Sequence, residues 1–276
     1  MPDLSDRIAL VTGASRGAGA AIAAVLGEGG ATVYVTGRSS RAGARTDDMP
    51  GTVEDSAAAV SARGGTGIAV VCDQTDPAQV DALVARIRTD CGRLDVLVNN
   101  AWGGYERYDE ARFDAPFWEQ PLRQRWDGMF GAGVWPTLLT SCRAAPLLAD
   151  GALVACTIAW ARGAYTGNAI YDAAKACIAR FAFAMAHDLR DRGVTSVAIA
   201  PGFMRTERVM SAHAARPFDL SVTESPEYLG RAIAHLAADP DRRARSGELL
   251  TAGDLAREYG FTDVDGSQPE AFTLPG

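Results

Sequence analysis

Several features that would assign this chain to other functions are scarce. Its 276 residues include five cysteines, an odd number without Cys-x-x-Cys spacing, and three histidines that stand far apart. A disulfide framework and a metal site therefore have little support. The formal net charge is −7, so the chain as a whole lacks the basic character that binding to nucleic acid or to an anionic membrane requires.

Long hydrophobic runs are also missing. The longest uncharged run, residues 128–142, contains Gly and Pro and is too short to span a bilayer. Residues 1–11 carry acidic residues and lack the basic start and long apolar stretch of a signal peptide. We therefore expect a cytoplasmic protein. With 47% hydrophobic and 22% charged residues, the composition suits one α/β domain covering residues 1–276.

The N-terminal region predicts a strand, a Gly-rich turn and a helix. The apolar run 7–11 enters the turn 12–19, and residues 20–26 are rich in Ala. Glycines in such a turn permit close backbone approach, and the helix start offers unpaired N–H groups to a pyrophosphate. A Gly-rich turn alone is weak evidence, but its place directly after a strand predicts dinucleotide binding. The predicted contacts are Gly13, Ser15, Arg16, Gly17 and Gly19.

The second predicted strand, residues 31–36, indicates which dinucleotide is bound. After it come Gly37, Arg38, Ser39, Ser40 and Arg41, where an NAD-binding protein would carry an acid for the ribose 2′-hydroxyl. Here Arg38 and Arg41, with Arg16, could converge on a 2′-phosphate instead. We therefore expect NADP(H) rather than NAD(H), with Ser39 in the same site. The alternative is that one or two of these arginines are merely solvated.

Strands alternate with helices along the remaining chain. Further strands are predicted at 68–72, 94–98, 152–157, 195–200 and 247–251, and helices at 56–63, 77–89, 126–148, 171–192 and 226–238. This alternation predicts a Rossmann-type doubly wound parallel sheet with helices on both faces. Right-handed crossovers then bring the ends of the strands to one edge. Glycines and Pro136 predict a kink in the helix 126–148.

Three segments depart from the alternation. Residues 103–125 form an aromatic insertion, which predicts a wall or lid of an apolar substrate pocket or, alternatively, a segment packed on its own surface or on another subunit. Residues 207–225, which include His213, suggest a substrate-side loop, and residues 253–276 form a C-terminal tail. The insertion and its flank carry Tyr105, Tyr108, Phe113, Phe117, Trp118 and Trp126.

Tyr171 and Lys175 are the candidates for catalysis. In a helix, which the Ala-rich segment favours, they stand at i and i+4, about 5–6 Å apart at Cβ. A phenol has a pKa near 10, and a neighbouring ammonium stabilises its phenolate. The pair is thus a tunable general acid or base, although the same spacing also occurs on ordinary amphipathic helices. Asp73, after the third strand, could accept from an adenine amino group or simply cap a helix.

Four motifs occur in order and together resemble the short-chain dehydrogenase/reductase family over about residues 5–252. They are Thr12-Gly13-x-x-x-Gly17-x-Gly19, Asn99-Asn100-Ala101, Tyr171-x-x-x-Lys175, and Pro201-Gly202 with Thr206. Within the family, residues 116–119 and the tail 254–266 resemble the group typified by dehydrogenase/reductase SDR family member 1. Members of the family are commonly homodimers or homotetramers, and we expect the same here.

The resemblance also implies roles for individual residues. Tyr171 would donate a proton to a carbonyl that receives hydride from C4 of the nicotinamide, and Lys175 would hold the ribose hydroxyls and lower the pKa of Tyr171. The remaining implied contacts to the cofactor are Asp73, Asn100 and Ala101 on the adenosine side and Pro201, Gly202 and Thr206 at the carboxamide.

Two positions depart from the family pattern. The family's catalytic Ser lies thirteen residues before the Tyr, where this chain has Ile158; Thr157 could take its place. The Asn of the family's proton relay corresponds to Gly133. The sequence therefore favours an NADP(H)-dependent oxidoreductase that reduces the carbonyl of an apolar small molecule, or runs in reverse. The alternative is a cofactor-binding protein with a sensor role or a non-redox cyclisation or dehydration activity.

Overall fold

Short runs of buried apolar residues form a parallel sheet. In the computed structural model, which describes residues 1–43, 45–46, 49–106, 112–159 and 165–273, Ala9, Leu10 and Val11 are fully buried. Such continuous burial is typical of a sheet covered on both faces. The strands are β1 (Ile8–Val11), β2 (Thr32–Gly37), β3 (Thr66–Val71), β4 (Leu94–Asn99), β5 (Leu148–Thr157), β6 (Thr195–Ala200), β7 (Phe203–Met204), β8 (Thr223–Glu224) and β9 (Leu249–Thr251).

The strand order is that of a doubly wound sheet. Seven strands in the described part of the chain lie in the order β3-β2-β1-β4-β5-β6-β9, and β7 pairs with β8 separately. All neighbours are parallel, for example β1 with β4, where Leu10 lies opposite Leu97. The order reverses between β1 and β4, so their C-terminal ends open a crevice in which such folds bind ligands. The predicted Rossmann-type fold is confirmed.

Helices cover both faces of this sheet. They are α1 (Gly17–Glu28), α2 (Val53–Ala62), α3 (Pro77–Cys91), α4 (Leu122–Trp126), α5 (Trp135–Ala144), α6 (Ala169–Asp188), α7 (Glu207–Ala215), α8 (Pro226–Ala238) and α9 (Ala252–Tyr259). Alternate strand residues supply the two cores: Val11 packs in the core of α1, α2, α8 and α9, whereas Leu10 packs in that of α3, α5 and α6. A strand period of two explains this division.

The predicted helix 126–148 is helical up to Leu147, but the type of helix changes along it. Helix α4 ends at Trp126, a π-helix runs over Asp127–Val134, α5 follows, and Leu148 already begins β5. Pro136 lies next to the point where the π-helix changes to α5, within the first two positions of α5. The N–H of Gly103 donates to the carbonyl of Ala132 at 2.8 Å. This contact gives a π-helical carbonyl a partner outside the helix.

Two segments that were predicted as irregular contain regular structure. Residues 207–225 include α7 and β8, and the tail begins within α9, which Thr251 caps by accepting from the N–H of Asp254 at 3.1 Å. Tyr108 of the aromatic insertion lies outside the described residues. Among the helices that the structure describes, none has the length and apolar character needed to span a membrane.

Candidate active site

The Gly-rich turn and the end of β4 are bound tightly together. Thr12 Oγ1 accepts from the N–H groups of Asn100 at 2.9 Å and Ala101 at 3.0 Å, and Asn100 Nδ2 donates to the Gly13 carbonyl at 3.1 Å. A Cβ on Gly13 would lie 2.6 Å from Ala101 Cα, and one on Gly19 would lie 2.3 Å from Gly13 O. Both positions therefore require glycine, and the backbone between β1 and β4 stays accessible.

A cavity of about 480 Å³ extends along this edge of the sheet. It brings together residues from all four motifs: Gly13, Ser15, Arg16, Gly17, Arg38, Asp73, Asn100, Ala101, Thr157, Tyr171, Lys175, Pro201, Gly202 and Thr206. Two predicted contacts lie behind the wall instead. Gly19 is packed against the turn, and Ser39 is buried. His213 does not line the cavity and accepts from the N–H of Phe218 at 3.2 Å.

The three predicted arginines converge only in part. Arg16 lines the cavity and donates to Ser39 Oγ and to the Thr46 carbonyl, so Ser39 acts by orienting Arg16. Arg38 also lines the cavity. Arg41 does not; its Nε donates to Asp55 on the exposed surface at 2.9 Å. We therefore attribute the anion-binding character of this end to Arg16 and Arg38.

Asp73 also lines the cavity. Its Oδ1 accepts from the N–H and the hydroxyl of Thr75 at 2.9 and 2.8 Å. The alternative interpretation as a helix cap is wrong, because Asp76 is the residue that caps α3. Asp73 is thus a carboxylate of the cavity wall, fixed in orientation by a local turn.

The start of α6 positions Tyr171 and Lys175. Asn168 caps the helix by accepting from the N–H groups of Ile170 and Tyr171 at 3.1 and 2.9 Å. Both functional side chains reach the cavity, and the Lys175 Nζ lies 5.7 Å from the centre of the Tyr171 ring. Lys175 is the only lysine in the chain. Apart from the histidines, every other basic side chain is an arginine. The single lysine could therefore be recognised from the sequence as a candidate site residue.

Burial dominates the electrostatics of this pair. It raises the pKa of Tyr171 well above 10, with the neighbouring Tyr105 adding to the rise, and it lowers the pKa of Lys175 to about 7. The expected lowering of the Tyr171 pKa by Lys175 is thus not found. The physical reason is desolvation, which disfavours the charged form of both groups.

Trp102 fills the space beside Gly133, the position that the resemblance assigns to the relay Asn. A Cβ on Gly133 would lie 2.5 Å from Trp102 Cζ3, and a Cβ on Gly104 would lie 2.6 Å from Trp102 Cε2. The indole therefore fits between two glycines, and the Lys175 Nζ lies 3.6 Å from its ring centre, a cation–π distance. The sequence prediction missed this role, since nothing local links Trp102 to Gly133.

Tyr105 contributes a second phenol beside Tyr171. The two rings stack with centroids 6.0 Å apart, and the two hydroxyl groups share a hydrogen bond. Arg208 lies 5.6 Å from the Tyr105 ring centre. Phe113 packs edge-on against Tyr171 at 6.0 Å. Tyr105 and Phe113 of the aromatic insertion thus line the cavity around Tyr171, whereas Phe117 and Trp118 are exposed.

Thr157 and Ile158 both line the cavity at the end of β5. The Thr157 hydroxyl donates to the carbonyl of Asn99 at 3.3 Å and lies equally far from Asn100 Oδ1. Thr157 is therefore the hydroxyl-bearing residue at this strand end, but its hydrogen-bond partners are on β4. Ile158 offers the cavity only an apolar surface.

The loop Pro201-Gly202 rests on a buried carboxyl group. The Gly202 N–H donates to Glu224, and burial raises the Glu224 pKa to about 7. Arg205 donates to the Thr223 carbonyl at 2.9 Å and faces Asp263 of the tail at 3.5 Å. Thr206 caps α7 by accepting from the N–H of Val209 at 3.4 Å. Glu224 and Asp263 were not predicted, because their partners lie far away in sequence.

A doubly wound sheet with a Gly-rich turn at its crevice defines the class of α/β nucleotide-binding proteins. The sequence model "short chain dehydrogenase" matches residues 7–217. Mouse dehydrogenase/reductase SDR family member 1 is 35% identical over 95% of this chain and 85% of its own length. The chain belongs to the short chain dehydrogenase family of oxidoreductases, and its resemblance to the member 1 group is confirmed.

Solved structures agree with this assignment. A short chain dehydrogenase from Mycobacterium thermoresistibile has a TM-score of 0.80 and 25% identity, covering 98% of this chain and 95% of that one. One from Burkholderia cenocepacia J2315, in complex with NADP, has a TM-score of 0.72 and 29% identity, covering 90% of this chain and 96% of that one.

Proposed function

We propose that this protein is an NADP(H)-dependent oxidoreductase that reduces the carbonyl group of an apolar aldehyde or ketone, or oxidises the corresponding alcohol. The observation that carries the proposal is that one cavity contains the buried pair of Tyr171 and Lys175 together with the Gly-rich turn. A protein that only bound the cofactor would have no chemical need for a buried phenol beside a buried amine. A cytoplasmic location remains our expectation.

The residues of the cavity fit a phosphorylated dinucleotide. Gly13 and Gly17 have φ values of +62° and +55°, which glycine alone adopts readily, and the start of α1 offers N–H groups to a pyrophosphate. Arg16 and Arg38 supply fixed positive charge for a 2′-phosphate. The Burkholderia relative, which is in complex with NADP, supports the same choice. When bound, NADP(H) supplies or accepts hydride at C4 of its nicotinamide.

Tyr171 serves as the proton donor in the reducing direction. Its raised pKa keeps the phenol protonated at neutral pH, so a proton is available for the substrate oxygen as hydride arrives at the carbonyl carbon. Lys175, whose Nζ lies 5.7 Å from the centre of the Tyr171 ring, would bind the ribose hydroxyls. As the Lys175 amine has a pKa of about 7, it can also exchange a proton near neutral pH.

Hydrogen bonding to the substrate oxygen falls to the hydroxyl groups next to Tyr171. Thr157 is the sequence-based candidate for the role of the missing Ser. Tyr105 is a second candidate, because its hydroxyl is hydrogen-bonded to that of Tyr171 and it lines the same cavity. Such a donor contributes roughly 3–4 kcal/mol to stabilising the transition state. The rings of Trp102 and Phe113 favour an apolar substrate.

A non-redox role is the second candidate. The observation in its favour is that the Trp102 indole fills the relay position next to Gly133, while Ile158 stands where the Ser is expected. A chain with this arrangement and no hydride transfer would use Tyr171 for proton movement alone, as in cyclisation or dehydration.

Transfer of deuteride tests the proposal. The protein is incubated with C4-deuterated NADPH or NADH and a panel of apolar ketones, aldehydes and quinones, and the products are analysed by mass. We expect deuterium in an alcohol product with NADPH, loss of at least 100-fold in rate for Tyr171→Phe, and little change for Tyr165→Phe, an exposed tyrosine. Tight NADPH binding without label from either cofactor would favour the non-redox role.

A further inference from the structure

Glu106 holds one of the two arginines that line the phosphate end of the cavity. Its carboxylate pairs with Arg38 through both oxygens; Nη1 to Oε2 is 3.1 Å. The side chains remain 37% and 27% exposed, for Arg38 and Glu106 respectively. Both residues line the cavity, although Arg38 follows β2 and Glu106 follows β4. The pair therefore spans the crevice between the two strand ends.

Glu207 makes a similar contact at the Gly-rich turn. It is the first residue of α7, and its Oε1 and Oε2 accept from the N–H of Gly17 at 3.3 and 3.0 Å. Gly17 is the first residue of α1, so this N–H has no carbonyl partner within its own helix. The Glu207 carboxylate thus accepts from a helix-start N–H that is also suited to bind an anionic ligand.

We propose that Glu106 and Glu207 compete with the cofactor's phosphates and thereby determine its selectivity and affinity. Glu106 competes with the 2′-phosphate, which distinguishes NADP(H) from NAD(H), for Arg38. Glu207 competes with the pyrophosphate, which both dinucleotides share, for the start of α1. The inference rests on the proposed use of a dinucleotide cofactor and adds that these two acids weaken its binding in different ways.

The physical basis is that a carboxylate and a phosphate cannot bind the same hydrogen-bond donors at the same time. A phosphate on Arg38 and the Glu106 carboxylate would repel each other at contact distance, so one must leave. Since the pair is partly exposed, its release costs little, and the carboxylate regains water. The same holds for Glu207, whose side chain lies at the surface. Both acids act as weak, displaceable competitors and do not block the site permanently.

Equilibrium titration of NADPH and NADH fluorescence tests the proposal in wild type, Glu106→Gln and Glu207→Gln. Glu106→Gln is expected to tighten NADPH binding about two- to fivefold and to leave NADH unchanged. Glu207→Gln is expected to tighten both by a similar factor. Glu119→Gln is the matched control, because Glu119 belongs to the same insertion, is exposed and lies 3.9 Å from Arg112 without lining the cavity.

Glu106→Gln is expected to tighten the binding of NADPH alone, whereas Glu207→Gln is expected to tighten the binding of both cofactors. We call this difference the crossed pattern; a general change in net charge does not produce it. Equal tightening of both cofactors in Glu106→Gln, or weaker NADPH binding there, overturns the proposal for Glu106. Tightening confined to NADPH in Glu207→Gln overturns it for Glu207. The crossed pattern without deuteride transfer refutes the proposed redox function alone, whereas wild-type protein that binds neither dinucleotide at millimolar concentration refutes both.

Discussion

Lys175 illustrates how a single functional residue lowers stability. Burial lowers its pKa from 10.5 to about 7, so the unfolded chain binds a proton up to about pH 10 that the folded protein releases above about pH 7. Between these limits the unfolded state carries more protons. The free energy of unfolding therefore rises with pH as far as this group is concerned, and the burial cost is largest at and below pH 7.

Replacing Lys175 with Met is expected to stabilise the protein. Met has a similar length without the charge, so we expect the free energy of unfolding to increase by about 1–3 kcal/mol at pH 7, with a smaller gain at pH 9.5. Thermal unfolding at both pH values measures the difference. A lower melting temperature at pH 7 would contradict the prediction and show that the cation–π contact with Trp102 outweighs desolvation.

The same titration can be observed directly, because Lys175 is the only lysine. Labelling with [13C]lysine gives a single side-chain resonance, whose pH dependence in wild type should have its midpoint near 7. Trp102→Leu removes the ring beneath the ammonium and should lower that midpoint further. An unshifted midpoint near 10.5 would show that Lys175 is hydrated in solution.

Gly133 and Gly131 form a matched pair for testing the Trp102 site. Both lie in the π-helical segment Asp127–Val134, where Ala normally stabilises by about 0.5–1 kcal/mol relative to Gly. A Cβ on Gly131 has nothing within 4 Å among the described residues, whereas one on Gly133 meets the Trp102 ring. We expect Gly131→Ala to stabilise and Gly133→Ala to destabilise by about 1–3 kcal/mol.

Urea unfolding measures both changes, and a double-mutant cycle assigns the cause. In a Trp102→Leu background, the cost of Gly133→Ala should shrink, because the clashing ring is gone. Equal effects of the two Ala substitutions, or an unchanged cost in that background, would show that Trp102 does not fill the relay position.

At the scale of elements, the strands were the most predictable part of the fold. The strand β2 was expected at 31–36 and lies at Thr32–Gly37, because buried apolar runs between glycines have few other solutions. Within the helix 126–148, the π-helical segment Asp127–Val134 was not predicted, for a tertiary reason. The Ala132 carbonyl accepts from Gly103 and the Trp102 ring covers Gly133, and neither contact can be predicted from local propensity.

The candidate site likewise contains residues that the sequence predicts and residues that it does not. Motif spacing predicted Tyr171, Lys175 and the glycines, since backbone approach and an i, i+4 pair are local requirements. The side chains that surround them come from distant segments. Trp102, Tyr105 and Glu106 follow β4, and Glu224 forms part of β8. Only the fold shows that Trp102, Tyr105 and Glu106 line the cavity and that Glu224 binds the Gly202 N–H behind it.

The C-terminal tail contacts the region beside the Pro201-Gly202 loop through Asp263. Its buried carboxylate accepts from the N–H groups of Ser225 at 2.8 Å and Val264 at 2.7 Å and faces Arg205. We expect Asp263→Ala to destabilise the protein by about 2–4 kcal/mol, because buried donors lose their acceptor, and to weaken NADPH binding.

Denaturant unfolding and NADPH titration measure the two effects of Asp263→Ala. The control is Asp265→Ala, since Asp265 is 55% exposed and lies 3.9 Å from Arg205; an exposed pair of this kind contributes about 0–1 kcal/mol. Asp263→Ala with wild-type stability would show that the tail is not required, and loss of stability without a change in NADPH affinity would separate the tail from the loop.

For the whole molecule, the most prominent surface feature is apolar. Phe117, Trp118, Leu122 and Trp126 are 57%, 71%, 60% and 57% exposed, and they fall within ten residues of sequence. Exposed apolar groups of this size are typical of interaction sites. In the expected homo-oligomer, a second copy of the chain would cover these side chains and remove them from water.

We therefore predict that the protein is a homodimer or homotetramer and that this apolar segment contributes to the interface. Light scattering at micromolar concentration should give a multiple of the 29.0 kDa chain mass. Trp118→Ser combined with Leu122→Ser should lower that mass toward the monomer, because interface aromatics carry much of the binding energy. Val264→Ser removes an equally exposed apolar side chain elsewhere and should leave the mass unchanged. A wild-type mass of one chain would refute the prediction, and an unchanged oligomer in the double variant would place the interface on another surface.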